Sequence, residues 1–184
     1  MNVSEAILTR KSVRAYLDKP VPAEDLEKII EAGQWAPNAG EFQISVIRNR
    51  KLQKRINDAT HDKMVNSGIE FLRQRVSLPG YQPLYGAPML ILLSAPAEAP
   101  YSAVNASLAA ENMLLQATEM GLGSCYLVSP TLALNDADNG SLAQEAGIPD
   151  GCKLQCAVIL GYAAAENKYS VGERAKRGTV HYVD

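Results

Sequence analysis

The sequence predicts an α+β sandwich, a fold in which helices pack on a central sheet. Helical and strand patterns follow one another as two helices, a strand, two helices, a strand, a long helix, a strand, a short helix and a strand. The pairing of helices disfavours a doubly wound parallel sheet, because that fold alternates single helices with strands. With 184 residues, of which 47% are hydrophobic, the chain has the size and composition of one globular domain over residues 1–184.

Two helices open the predicted order. Asn2 followed by Glu5 has the spacing of a capping box, which predicts a helix that ends near Thr9. Apolar residues at helical spacing then predict a second helix over about 24–32. Gly33 is predicted to be its C-terminal stop, since glycine commonly ends helices.

Four stretches predict the strands of the sheet. Residues 43–48 alternate between apolar and polar side chains, which is typical of a strand with one exposed face. Residues 89–93 form a continuous apolar run between prolines, which predicts a strand buried on both faces. Apolar runs at 125–128 and 154–160 predict the other two.

The remaining helices flank these strands. A mixed helical pattern over 51–75 predicts two helices, and a loop follows at 76–86. Residues 101–120 contain no proline or glycine and are apolar around most of the helix, which predicts a long buried helix. Because a small domain has limited interior, we expect part of that helix to lie at a subunit interface. A short helix is predicted at 141–146.

Composition argues against several functional classes. Eighteen basic and twenty acidic residues give a net charge of -2, so we expect no nucleic acid partner. The longest mainly apolar run, 87–97, is about half the roughly 20 residues needed to cross a bilayer, so we expect no membrane span. The N-terminus lacks the apolar region of a secretory signal, which favours a cytoplasmic location. Three cysteines, an odd number, predict reduced thiols.

Common catalytic and binding motifs do not fit the sequence. Gly121-Leu-Gly123 follows a predicted helix rather than a strand and lacks the third glycine of a dinucleotide-binding turn. His61 and His181 have no cysteine or carboxylate at ligand spacing, so we expect no metal site. We therefore assign no side chain as a catalytic nucleophile, acid or base.

A basic run follows the first helix. In an extended segment, Arg10, Ser12 and Arg14 would point to one side because their positions alternate. Guanidinium groups bind phosphate oxygens by charge-assisted hydrogen bonds, and a hydroxyl adds a neutral donor. The run is therefore either a phosphate-binding site or a solvated basic surface.

Two further stretches are candidate binding elements. The loop over 35–43 contains small residues that would allow a flat ligand to approach the backbone, and Asn38, Glu41 and Gln43 offer polar side chains. It is either a ligand-binding loop or a tight turn between helix and strand. The predicted strand end at 127–129 would expose backbone N–H groups before a proline.

Together these stretches resemble the nitroreductase family of FMN-dependent oxidoreductases, in its short bacterial form. The combination is specific, since the order and spacing agree over nearly the whole chain. The matching pieces are Arg10-Lys11-Ser12-Val13-Arg14, the loop from Ala36-Pro37-Asn38 to Gln43-Ile44-Ser45, Asn112-Met113-Leu114-Leu115, Gly121-Leu-Gly-Ser-Cys125, and Arg174 with the closing Val180-His181-Tyr182.

The resemblance implies an α+β sandwich with a mainly antiparallel sheet flanked by helices, in a homodimer interlocked through its long helices. It implies two FMN sites at the interface, each built from both subunits. One subunit would hold the phosphate and ribityl chain, the partner would contact the isoalloxazine ring, and backbone after a strand would lie near its reactive edge. The residues implied in these three roles are Arg10, Lys11, Ser12, Arg14 and Arg174; Pro37, Asn38, Ala39 and Glu41; and Leu127, Val128 and Ser129.

The resemblance also implies an activity. NADH or NADPH would deliver hydride to the flavin, which would then reduce a small-molecule acceptor such as a nitroaromatic, a quinone or an enone in a ping-pong mechanism. Because the flavin carries the chemistry, the protein would supply orientation and fixed dipoles. This is consistent with the lack of a catalytic triad or metal motif.

Two departures from the family pattern leave alternatives open. Glu41 replaces the asparagine of the loop, so it either accepts a hydrogen bond from a ring N–H or takes up a proton itself. A negative charge there would lower the flavin reduction potential. Ile44-Ser45 replaces the Pro-Trp of the family pattern, which would leave a smaller wall on the partner side of the flavin site. The chain is then either an enzyme, a flavin-binding carrier or sensor without turnover, or a structural dimer that binds no flavin.

Overall fold

The computed structural model describes residues 1–166, 169 and 175–183. In those residues four strands form one sheet in the order β1-β2-β4-β3, and every neighbouring pair is antiparallel. Helices pack on the sheet, so the predicted α+β sandwich is confirmed. The strands are β1 (Gln43–Ile47), β2 (Met89–Pro96), β3 (Gly123–Leu127) and β4 (Cys152–Gly161), and the helices are α1 (Val3–Thr9), α2 (Ala23–Gln34), α3 (Arg50–Val65), α4 (Glu70–Val76), α5 (Ser102–Glu119), α6 (Thr131–Leu134) and α7 (Gly140–Glu145).

β2 and β4 lie at the centre of the sheet and are buried on both faces. Seven of the eight residues of β2 are buried, as the continuous apolar run predicts. Leu93 pairs with Cys156 of β4, and a register irregularity follows before Ser94. β2 and β4 are therefore the central strands of the sheet, and β1 and β3 are its two edge strands.

Each face of the sheet has its own hydrophobic core. On one face α2 and α5 pack on the strands, with Ile29 and Met113 fully buried. On the other face α3 packs on the strands through Leu52 and Ile56, together with α6 and α7. Since the strands alternate, neighbouring residues such as Leu92 and Leu93 enter opposite cores.

The first helix begins as its capping residues predict, but the second helix does not end where the sequence predicts. The capping box of α1 is present, with the Asn2 side chain accepting from Glu5 and the Glu5 side chain accepting from Asn2. The predicted stop at Gly33 is wrong, because this glycine lies inside α2. A Cβ at Gly33 would lie 2.3 Å from the Met113 Cε atom, so glycine allows α2 to approach α5 closely.

The other elements that the sequence does not predict are short helices. α6 and a 3₁₀ turn over Ala137–Asn139 follow β3 and are absent from the prediction. Four residues are too few to show a helical period, which explains the omission. The two helices predicted over 51–75 are confirmed as α3 and α4, with residues 66–69 between them.

Candidate functional site

The basic run lies in an extended segment beside β3. Ser12 forms an isolated bridge with Ser124, and the Val13 N–H donates to the Ser124 carbonyl at 2.9 Å. The Val13 side chain is buried, and a Cβ at Gly123 would lie 3.0 Å from its methyl groups. Glycine at position 123 therefore lets the segment pack directly on the strand.

Three residues of this segment converge on the Cys125 side chain of β3. Burial raises the pKa of the Cys125 thiol, and Arg14, Ser12 and Arg10 oppose that rise. All three side chains are half-buried, whereas Lys11 is exposed. The half-burial of these three residues fits the alternation predicted for an extended segment, and the two guanidinium groups and the hydroxyl all act on one thiol. We call Arg10, Ser12 and Arg14 the cradle.

The cradle is also tied to the long helix. The Arg10 Nε atom lies 3.5 Å from the Glu111 carboxylate of α5, and the Arg10 side chain is only 17% exposed. An arginine buried to this extent is held in a narrow range of positions. The cradle therefore has a defined geometry within one subunit.

Arg75 of α4 also acts on this site and was not predicted. Its charge opposes the rise in the Cys125 pKa, as the charges of Arg10 and Arg14 do. The Arg75 guanidinium donates to the Tyr85 hydroxyl at 3.1 Å. No signal in the sequence points to Arg75, since it reaches the site by packing of α4 and the loop after it.

The second candidate element, which we call the ring loop (residues 37–41), precedes β1. Its residues are exposed in the single subunit. One buried side chain holds it, because Asn105 Oδ1 of α5 accepts from the Ala39 N–H at 2.9 Å. Gly40 has a φ of 136°, a backbone conformation that side chains rarely adopt. Local geometry therefore demands glycine here.

A groove of about 500 Å³ opens beside the ring loop. Glu41 lies at its rim, and Phe42 and Pro149 provide apolar wall. Ser94 lines it from β2 and is fully buried, and its hydroxyl has no hydrogen-bond partner among the described residues. The groove combines a carboxylate with apolar surface.

The third candidate element follows β3. Leu127 is buried, Val128 is 54% exposed and Ser129 is half-buried. The carbonyl groups of Val128 and Ser129 accept from the first turn of α6. That hydrogen bonding fixes the backbone where the chain leaves the sheet. Arg174, the last predicted site residue, lies outside the described residues.

The ring loop and the cradle lie at opposite edges of the sheet. The ring loop leads into β1, whereas the cradle packs on β3, and β2 and β4 lie between them. Three strand spacings separate β1 from β3, about 14 Å. Within one subunit the cradle and the backbone after β3 therefore lie along the same edge strand, and the ring loop lies at the opposite edge.

An apolar stripe runs along the solvent side of α5. Tyr101 and Val104 are each 54% exposed, and Leu108 is 41% exposed. Their spacing of three and four residues places them on one face of the helix. The long helix is therefore not fully covered by its own subunit, as its composition predicts.

The described part of the chain has neither a metal-binding cluster nor a membrane-spanning helix. No group of three or more histidine, cysteine or acidic residues is placed to hold a metal ion. None of the described helices combines the length and apolar character needed to cross a membrane. All three cysteines are free thiols.

Comparison with known proteins agrees with the fold. The chain is similar to a nitroreductase of Bacteroides fragilis solved with bound FMN, with a TM-score of 0.87 and 30% identity over 100% of both chains. It is 29% identical to an Archaeoglobus fulgidus protein provisionally named an NADH dehydrogenase/NAD(P)H nitroreductase, over 95% of this chain and 94% of that protein.

A third relative is the FMN reductase (NADPH) of Bacillus subtilis, which is 29% identical over 133 residues. That match covers 68% of this chain and 53% of the relative, so the chain matches about half of that protein. The family model for nitroreductases matches residues 7–162, which include the cradle, the ring loop and the backbone after β3. The chain belongs to the nitroreductase family.

Proposed function

We propose that this protein is an FMN-dependent oxidoreductase that takes electrons from NADH or NADPH and passes them to a small-molecule acceptor. The observation that carries the proposal is the cradle, in which two guanidinium groups and a hydroxyl converge beside β3. FMN is bound in the Bacteroides fragilis nitroreductase, with which this chain aligns end to end. The relatives named for NADPH or NAD(P)H support the choice of donor.

The residues present fit an FMN phosphate. Arginine side chains form bidentate, charge-assisted hydrogen bonds with phosphate oxygens. Half-burial of Arg10 and Arg14 limits the competition from water and strengthens such bonds. Ser12, between them in the chain, supplies a neutral donor. In this proposal, Lys11 and Arg174 also bind the same phosphate.

When bound, FMN would supply the redox chemistry by carrying hydride from the nucleotide donor to an acceptor. The chain's own residues have positioning tasks. The cradle holds the phosphate end, and the backbone of Val128 and Ser129 lies at the far end of β3, where it can orient the ring. Proximity and orientation of this kind lower the barrier without a side-chain acid or base.

Each site takes its ring loop from the partner subunit in this proposal. Pro37, Asn38, Ala39 and Glu41 lie on the opposite side of the sheet from the cradle, which favours a second copy as their source. The exposed apolar stripe of α5 supports a homodimer built on this helix. Homodimerisation would cover the stripe and complete two equivalent sites.

Donor and acceptor use the same open face of the ring in turn, which is a ping-pong mechanism. Planar electrophiles that can lie on a flavin suit such a face, and nitroaromatics, quinones and enones are the proposed acceptors.

One observation favours a second candidate, a flavin-binding carrier or sensor: Glu41 places an exposed carboxylate on the ring loop. A carboxylate there makes flavin reduction less favourable.

A visible absorption spectrum and an elution volume test the proposal. We expect a dimer with flavin bands that bleach on anaerobic addition of NADH or NADPH and return when an acceptor is added. Flavin that binds but does not bleach would favour the carrier. A protein that cannot be reconstituted with FMN would contradict both candidates.

A further inference from the structure

Arg75 is held in place by neutral groups. Its guanidinium donates to the Tyr85 hydroxyl at 3.1 Å and to the Tyr169 carbonyl at 3.4 Å. It also lies over the Tyr81 ring, with the Cζ atom 5.3 Å from the ring centre. These contacts fix the orientation of the cation without neutralising its charge.

No carboxylate lies within 4 Å of Arg75 among the residues that the structure describes. Its neighbour on α4, Arg73, differs in this respect, because it pairs with Glu70. Arg75 is half-buried, whereas Arg73 is exposed. A half-buried cation that has no counter-charge among the described residues is well suited to bind an anion from outside the chain.

The loop that holds Arg75 has a strained residue at the contact. Tyr85 has a φ of 51°, in the left-handed region that a bulky side chain rarely enters. The Tyr81 and Tyr85 rings pack edge to face, with centres 5.5 Å apart. The Leu84 N–H donates to the Asn57 side chain at 3.1 Å. Strain that is held by such packing is found most often at functional sites.

Arg75 and the cradle share one face of the sheet. Tyr85, which holds Arg75, packs against the hydrophobic core that contains Cys125. Tyr16, two residues after Arg14, packs against the same core. Arg75, through Tyr85, and the cradle, through Tyr16, are therefore attached to the same face of the sheet as Cys125.

We propose that Arg75 is a further anion-binding residue of the site and binds a phosphate group of FMN or of the nicotinamide donor. The inference rests on the proposed function, since that function supplies the phosphate. Tyr85 acts as a positioning residue that holds the guanidinium toward the cradle. A planar fork of donors that is already held in one orientation binds a phosphate more tightly than a mobile surface cation.

Flavin titrations of purified apoprotein test this inference. Quenching of flavin fluorescence gives the dissociation constants of FMN and of riboflavin, which lacks the phosphate. Arg75→Gln removes the charge, and Arg73→Gln is the matched control on the same helix. We expect Arg75→Gln to weaken FMN binding about tenfold or more relative to the control. Riboflavin binding should change less than about twofold, because it makes no such charged hydrogen bond.

The same variants separate the two phosphate sources. Unchanged FMN binding with a raised KM for NADH or NADPH would assign Arg75 to the donor. FMN and donor constants equal to those of Arg73→Gln would overturn the inference and leave the proposed function intact. A wild-type protein that binds no FMN would overturn both. If a melting curve shows that Arg75→Gln does not fold, Arg75→Lys replaces it and should give a smaller loss in the same direction.

Discussion

The cradle and the ring loop differ in how firmly one subunit holds them. The cradle is half-buried, pairs with β3 and is tied to α5 through Arg10 and Glu111. The ring loop is exposed, and one hydrogen bond from Ala39 to Asn105 joins it to the same helix. Under the proposed function, this difference means that one subunit preorganises phosphate binding, whereas the ring side of the site needs a second surface to become complete.

Breaking the proposed dimer has the largest expected effect. Val104→Glu with Leu108→Glu puts two carboxylates on the exposed stripe of α5. Burying unpaired charges costs several kcal/mol each, so we expect a monomer that binds FMN weakly and has no measurable reductase activity. Light scattering with size-exclusion chromatography gives the mass. Val65→Glu, at an exposed apolar position on α3, is the control. A monomer with full FMN affinity would contradict the two-subunit site.

Removing the cradle has the next largest effect. Each charged hydrogen bond contributes about 1.5 to 3 kcal/mol, so Arg10→Ala with Arg14→Ala should weaken FMN binding by roughly 100-fold or more. The dimer should persist, because these residues do not lie on the apolar stripe. Lys51→Ala removes an exposed charge from α3 and is the control. A dissociation constant within about threefold of the wild-type value would refute the phosphate assignment.

Loosening the ring loop should have a moderate effect. Asn105→Ala removes the buried acceptor of the Ala39 N–H, a net loss of about 1 kcal/mol, or about fivefold in FMN affinity. Asn112→Ala is matched to it, since Asn112 also lies on α5 but donates to the Ala32 carbonyl of α2 at 3.0 Å. Both variants should lower the melting temperature. Equal FMN affinity in the two variants would contradict a role for the ring loop.

Glu41→Asn should have the smallest effect. Removing a carboxylate near the ring favours the reduced flavin, so the midpoint potential should rise by a shift on the order of tens of millivolts. The shift should shrink at high salt, because Glu41 is exposed. Glu98→Gln, another exposed carboxylate, is the control. A potential that falls, or that moves equally in the control, would place Glu41 away from the ring.

Local sequence patterns predicted most of the elements but not their packing. The capping residues of α1 and the apolar run of β2 act within a few residues, so the sequence shows them directly. Gly33 was misassigned because the same residue type ends helices and permits close packing, and only the contact with Met113 distinguishes the two.

The same limit applies to the site. Alternation along the basic run predicted that Arg10, Ser12 and Arg14 share a side, since strand geometry is local. Arg75 could not be found in this way, because it comes from a separate helix and is positioned by Tyr85, which is ten residues later. The position of the ring loop and the cradle at opposite edges of the sheet also depends on strand order, and no single element determines that order.

A mixed dimer tests the two-subunit site most directly. One chain carries Arg10→Ala and Arg14→Ala, and the other carries Gly40→Val, which puts a branched side chain at a φ of 136° in the ring loop. Two affinity tags isolate the heterodimer after co-expression, and its flavin content is compared with that of each variant homodimer, which should bind little FMN. We predict about half of the wild-type flavin content in the heterodimer, because one of its two sites combines an intact cradle with an intact ring loop. A heterodimer with no more flavin than either homodimer would contradict the account.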